Sequence, residues 1–434
     1  MTGSGTATPS RPSLWRRRGY ATYVGSQAVA QTGFQVSMVA IPLTAVLVLD
    51  ASPVQLGLLV AAERVPFLLF ALMAGVLVDR WSRRRLLIVA SVLRAPLVLT
   101  IPIAAALDWM TVTQLYVVAF LLGTLTVLSD VAALSIMPAL VPREQLTEAN
   151  AKLEATRAGS EVVGPSLGGA LVQLITAPYA LVVDALSFLV SGAMLSGLPK
   201  DGSGQETTEG GTRSAWQEIK EGVAFVWRSD VLRWNAGVAA LTNLCVYAFL
   251  AIQYLYIVDD LRLGAVFVGV LLSLGGVGGV LGSLAADWIS NRTGIGGGFL
   301  AGSVTMAAGV LLVGVAPAGM GLGLVLAGGG YLLFVSGIPI FNVAAVTIRQ
   351  AVTPAPLLGR TNATMRFLIW GAIPLGSLIG GVAAEATSSR AVVLLSGAAL
   401  LVPTILLALS PIRGLRITED QDQPDDDHAL HTER

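Results

Sequence analysis

With 434 residues, 54% of them hydrophobic and 12% charged, the chain has about half the ~25% charged share of a soluble globular protein. Its mean hydropathy of +0.74 fits a polytopic membrane protein rather than a water-facing surface. The formal net charge of zero offers no basic excess for nucleic acid.

Residues 1–19 are polar and form a segment without the pattern of a cleavable signal peptide. A bilayer core takes about 20 apolar residues per helix. Apolar runs between polar breaks then predict spans at 20–48, 54–78, 86–107, 113–140, 148–176 and 178–198. Residues 199–232 form a linker, of which Asp201 to Gly211 is rich in Gly, Ser, Thr and Glu and reads as flexible. Ser214-Ala215-Trp216-Gln217 reads as a capping box that starts a helix. Trp216, Ile219, Val223, Val226 and Trp227 share one face of it, as in a helix lying along the inner leaflet. A second set of spans follows at 233–258, 265–287, 295–316, 319–348, 361–386 and 390–410, and residues 411–434 make an acidic tail. The expected fold is all-α: twelve transmembrane helices in two pseudo-symmetric six-helix bundles, 20–198 and 233–410.

Twenty Lys and Arg residues fall in one set of loops, and only Arg262 and Arg390 in the other. The positive-inside rule then places both termini and the linker in the cytoplasm of a multi-pass cell-membrane protein.

The two halves are copies. Asp130 to Ala151 returns as Asn342 to Ala363 at an offset of 212, and Gly164, Gly168 and Gly169 fall on Gly376, Gly380 and Gly381. In an apolar chain such duplication marks a transporter built about a pseudo-symmetry axis. The copies differ in charge. Asp130 answers Asn342 and Glu161 answers Ile373, so nearly all mid-membrane charge is expected in the first half.

Little else suggests chemistry. Cys245 is the single cysteine, and the two histidines, His428 and His431, lie in the tail, so no metal site is expected. None of Lys152, Lys200 and Lys220 follows a phosphate-cradling glycine run, so ATP hydrolysis is not expected. The chain is not expected to be an enzyme, and no catalytic residue or cofactor is assigned.

Gly75-Val76-Leu77-Val78-Asp79-Arg80-Trp81-Ser82-Arg83-Arg84-Arg85 resembles the signature loop of the major facilitator superfamily, with Ser82 where that family usually has glycine. An eroded copy carries Asp287 and Arg292. The resemblance implies a conformational latch formed by Gly75, Asp79, Arg80, Arg83, Arg84, Asp287 and Arg292. Gly164-Pro165-Ser166-Leu167-Gly168-Gly169 resembles an antiporter element of the same superfamily, a packing hinge with Pro165 expected to kink the helix. Leu140 to Leu146, Val183 to Phe188 and Gly359 to Thr364 are similar to its macrolide-efflux and siderophore-export members, in the drug:proton antiporter group. Those relatives often carry an aspartate after the glycine of the first span, whereas Phe34 follows Gly33 here.

Ionisable groups at bilayer depth cost at least ~2.5–3.5 kcal/mol each, so each is a functional candidate. Arg94, Asp130 and Arg157 lie at similar depth and are read as an ion-pair layer, with a gating role for Asp130 as the alternative. Glu161, with no neighbouring base in sequence, is the first choice as proton carrier; Glu63, beside Arg64, is the second, and Asp184 a weaker one; a salt bridge to Arg64 or Arg157 is the alternative role. Gln27, Gln31 and Gln35 share a helix face and are read as cavity lining, with Trp370; polar packing between helices is the equal alternative for the glutamines.

The expected function is export of an amphipathic or hydrophobic small molecule in exchange for protons, by a monomer in the lipid bilayer. Import or uniport of a small metabolite on the same fold remains open at this point, as does a non-transporting membrane subunit.

Overall fold

A computed structural model describes residues 14–80, 82–142, 145–198, 215–354 and 357–414. The apolar runs form α1 (Arg18–Leu47), α2 (Pro53–Arg80), α3 (Arg83–Ala106), α4 (Val112–Leu140), α5 (Leu146–Ile175) and α6 (Ala177–Ser196). The linker helix α7 (Ala215–Arg228) follows. The second half comprises α8 (Asp230–Leu255), extended by a π-helical turn at Tyr256–Asp260, then α9 (Ala265–Thr293), α10 (Ile295–Gly314), α11 (Leu322–Val352) and α12 (Leu358–Ala386). The last span is broken into α13 (Ser389–Ala399) and α14 (Leu401–Leu409). Pro403 explains the break, because its ring opposes the carbonyl four residues earlier, at Ala399.

Eleven spans are long and apolar enough to cross a bilayer by composition alone. The twelfth is α5, whose first half carries Glu148, Lys152, Glu154, Arg157 and Glu161. Its 30 residues suffice for a crossing, and it packs lengthwise on α1 and α9. The twelve-helix expectation holds, with α5 as a span charged along part of its length.

Local chemistry sets several boundaries. Ser82, the departure from the signature loop, accepts the backbone N–H of Arg85 at 3.4 Å and so caps α3. Thr111, Ser229 and Ser388 cap α4, α8 and α13 in the same way.

Within the first half α1 packs on α5 and α6, α3 on α4 and α6, and α2 on α4. In the second, α11 packs on α9 and α10, α8 on α12, and α10 on α13. The halves meet along two seams, α2 with α12 and α5 with α9. Both seams depend on glycine. A Cβ on Gly57 would sit 2.5 Å from the Ser377 carbonyl, and one on Gly381 2.6 Å from that of Pro53. Across the other seam, a Cβ on Gly169 would sit 2.5 Å from the Ala265 carbonyl, and one on Gly269 2.4 Å from that of Pro165. Small residues let helix backbones touch where lipid offers no hydrophobic drive to do so.

Both seams are tightest at the end of the bundle opposite the described termini. The start of α2 meets the end of α12 there, and the end of α5 meets the start of α9. Among the described residues, close contact between the halves stops near mid-bundle. Phe67 meets the Trp370 ring at 5.3 Å, and a Cβ on Gly276 would lie 2.6 Å from the Glu161 carbonyl. Asp130, Arg157, Glu161 and Arg366 lie on the terminal side of this limit; Glu161 is half-buried and the other three are exposed. Among the described residues, the bundle is thus closed at the distal end, and charged groups gather in a vestibule at the terminal end.

The linker helix is docked rather than free. Glu221 pairs with Arg360, Gly222 abuts the Arg360 carbonyl, and Val226 is buried with Met365 and Leu232. Val223 and Trp227 stay exposed, leaving an apolar strip for the inner leaflet expected above.

Candidate functional site

Between α1, α2, α3, α4, α6 and α8 lies a cavity of about 110 Å³ with a mostly apolar wall. Its ionisable lining is Glu63, Arg64, Arg94 and Asp184. Asp184 is fully buried; Ser37 of α1 donates a hydrogen bond to its Oδ2, and its Oδ1 has no partner. The place for it is made by Gly33, where a Cβ would fall 2.8 Å from that Oδ1 and 2.5 Å from Ser187 Cβ. A buried charge is expensive unless paired and hydrogen-bonded, and Asp184 holds one neutral donor, with Arg94 acting on it through space.

Arg94 donates to Thr126 Oγ1 at 2.8 Å and its guanidinium lies 5.1 Å from the centre of the Phe188 ring. Glu63 pairs with its neighbour Arg64 at 3.3 Å, and Arg64 also lies 5.9 Å from the centre of the Tyr247 ring of the other half. Directly next to Ser37, the Met38 carbonyl accepts the Tyr254 hydroxyl of α8 at 2.6 Å. The other polar clasp between the halves is Ser166 with Ser273, Oγ to Oγ, at 2.7 Å. Tyr254→Phe is expected to weaken the distal closure by about 1 kcal/mol, the net worth of one hydrogen bond. The readout is faster labelling of a cysteine placed at Ile41 by a membrane-impermeant thiol reagent applied at the distal side.

The vestibule brings the predicted layer together. Asp130 of α4 sits in the field of Arg94, Arg157 and Arg64, as depth along the helices suggests, and of Arg366 as well. Among the described residues it makes no direct ion pair. For Glu161 the salt-bridge alternative is the one that forms: Arg157 Nε bonds its Oε1 at 3.1 Å, one helical turn away, and both side chains are about half exposed. One expectation is corrected: the second half is not free of deep charge. Arg366 lies eight residues inside α12, with its guanidinium 4.4 Å from the centre of the Trp370 ring, and Arg349 stands near the end of α11. A charge within a span is itself a sequence signal, and the Arg366–Trp370 spacing of four places both on one face.

The glutamines do not line the cavity. Gln35 packs on the bare face of Gly164, where a Cβ would meet Gln35 Cβ at 2.3 Å, and Gln27 is half-buried. Gln31 is half-buried on the same helix. Trp370 stands on the α2–α12 seam between Phe67 and Arg366. Gly164, Pro165, Gly168 and Gly169 lie at helix contacts: the first and third face α1, the Pro165 carbonyl and Gly169 face α9. Of the latch residues, the side chains of Gly75, Asp79, Arg80 and Arg83 lie outside the described residues. Arg84 bonds the Leu195 and Ser196 carbonyls at the end of α6, Arg292 stacks on Trp288 at 4.2 Å, and Asp287 is exposed.

Two six-helix halves, glycine-seamed at one end and carrying converging charge at the other among the described residues, define a secondary-transporter architecture. The chain belongs to the transmembrane secretion effector family of the major facilitator superfamily, whose profile matches residues 15–432. It is similar to the multidrug efflux pump Tap of Mycolicibacterium fortuitum, 27% identical over 90% of this chain and 94% of that one. It is also similar to macrolide efflux protein A of Streptococcus pyogenes, 24% identical over 76% and 81%. Among solved structures, a bacterial homologue of the iron transporter ferroportin in the inward-facing state superposes with a TM-score of 0.73. That match is at 17% identity and covers 93% of this chain and all of the other, a likeness of fold alone.

Proposed function

We propose that the chain is a proton-coupled exporter of amphipathic or hydrophobic small molecules, working as a monomer by alternating access. The observation that carries this reading is the pair of glycine seams closing one end while charged groups converge at the open end. Rocking the halves about mid-bundle would part the seams and close the vestibule. The efflux direction rests on similarity to efflux proteins along most of both chains. The loop charge asymmetry puts the termini in the cytoplasm of the cell membrane, so the conformation described is open inward.

Asp184 is the proton carrier in this proposal. The relatives' aspartate after Gly33 is replaced by Phe34, yet a carboxylate still reaches that spot, because Asp184 of α6 abuts Gly33 and bonds Ser37. Glu161 and Glu63 each hold an arginine and act as fixed charges, Glu63 at the cavity and Glu161 in the vestibule, where Asp130 sits among arginines. The signature loop keeps the latch role its resemblance implies.

The test uses everted membrane vesicles from a pump-deficient host expressing the full chain, with a panel of fluorescent amphiphiles. Accumulation that requires the chain and collapses with a protonophore is expected. Accumulation that persists under protonophore but needs ATP, or flux only in the opposite direction, overturns the reading.

A further inference from the structure

We infer that the vestibule selects amphiphilic anions, with Arg366 on Trp370 as the subsite for a carboxylate, sulfonate or phosphate borne by an apolar body. This rests on the transporter reading and names its substrate class. The argument starts from how the arginines are held. Three of them lie over aromatic rings: Arg366 over Trp370, Arg94 over Phe188 and Arg64 over Tyr247. Stacking fixes the guanidinium plane without using its five in-plane N–H donors, which is the geometry that grips an oxyanion in two-pronged fashion. Arg94 spends one donor group on Thr126, and Arg64 one on Glu63. Arg366 makes no hydrogen bond or ion pair among the described residues, and it is exposed to the vestibule.

Charge points the same way. Arg349 faces Arg366 as a like charge, and its Nε is buried without a partner. Neither has a carboxylate partner among the described residues. Opposing them in the vestibule are Asp130 and Glu161, and Glu161 is already matched by Arg157. The desolvated Arg349 and the exposed Arg366 repel, and a bound anion relieves that repulsion. Trp370, with Phe67 on its edge, supplies the flat apolar surface beside the donors.

The test is equilibrium binding to the purified full chain in nanodiscs of zwitterionic lipid. Three probes share one apolar body: dansylglycine (anion), dansylglycinamide (neutral) and dansylcadaverine (cation). Dansylglycine is expected to bind about tenfold to a hundredfold tighter than the amide, the worth of a charge-assisted hydrogen bond. Arg366→Gln should abolish that preference while leaving amide binding intact, which is its own control for folding. Trp370→Leu should weaken all three probes. Equal binding of the three by the native chain, tightest binding of the cation, or a preference that survives Arg366→Gln overturns the inference. Should Arg366→Gln bind nothing, Arg366→Lys decides: a restored anion preference supports the site, and its absence overturns it. Proton-driven flux is measured separately, so anion binding without such flux would sink the export reading and leave the subsite standing.

Discussion

Asp184→Asn is expected to abolish proton-driven uphill transport while leaving the fold and downhill exchange in place. Asparagine has the shape of the carboxyl group and keeps an acceptor for the Ser37 hydroxyl, so the contact with α1 survives. What disappears is the ability to exchange a proton. In the wild-type protein, protonation of Asp184 bears on Ser37, and the next residue, Met38, holds the distal closure through Tyr254. A charge change at Asp184 therefore reaches the gate through adjacent residues of one helix. Coupling between two sites is typically ~1–3 kcal/mol, or about 5–150-fold. Losing the coupling should therefore remove the whole gradient-driven gain in accumulation, a factor in that range.

The measurement is uptake into everted vesicles with and without an imposed pH gradient. Wild-type uptake should rise with the gradient, and the variant's should not. A variant that still concentrates substrate with the gradient would remove Asp184 from the coupling step. A variant that loses downhill exchange as well, at unchanged thermal stability, would make Asp184 part of the moving framework instead. Ser37→Ala is the milder companion, since it removes one neutral donor and leaves the acid.

The sequence carries most of the fold and only part of the site, for physical reasons that differ by residue. Spans are legible because a bilayer demands about 20 apolar residues wherever a helix crosses, which is a local property. The halves are legible because duplication preserved a register of 212. The break at Leu400 is readable in principle from Pro403, but a proline shows where a helix is weakened rather than whether its neighbours rescue it. The pairing of Glu161 with Arg157 follows from their spacing of four, and burial is what the spacing leaves open. Asp184 is the opposite case. Its single partner, Ser37, lies 147 residues away, so nothing near it in sequence separates a buried acid from one at the membrane surface. Arg366 carried a usable signal, a cation one turn from Trp370 inside an apolar run. Its significance depends on the charges that the fold brings near it, Arg349 and Asp130, neither of which is its neighbour in sequence.

Gly169→Leu, or equally Gly381→Leu, is expected to hold the distal end open and cut transport to roughly a tenth or less. The two positions are symmetry mates, 381 − 169 = 212, and so are the glycines they face, 269 − 57 = 212. The repeat thus encodes both seams, one pair of glycines used twice. At each seam a Cβ would fall within 2.4–2.6 Å of a backbone carbonyl, well inside contact distance. Those carbonyls belong to helices of the opposite half, so strain is relieved by separating the halves and each bundle keeps its own core. Overpacking of this kind costs about 1–3 kcal/mol, enough to invert a balance between two states of similar energy. Spin labels on cysteines at Asp108 and Gly321, in a Cys245→Ala background, should report a longer distance across the distal end in either variant. Gly237→Leu is the control, because nothing lies within 4 Å of a Cβ there, and it should leave distance and transport unchanged. If the seam variants keep the native distance and transport normally, the glycines are packing points within a rigid body. The closure would then have to lie elsewhere than in the α2–α12 and α5–α9 contacts.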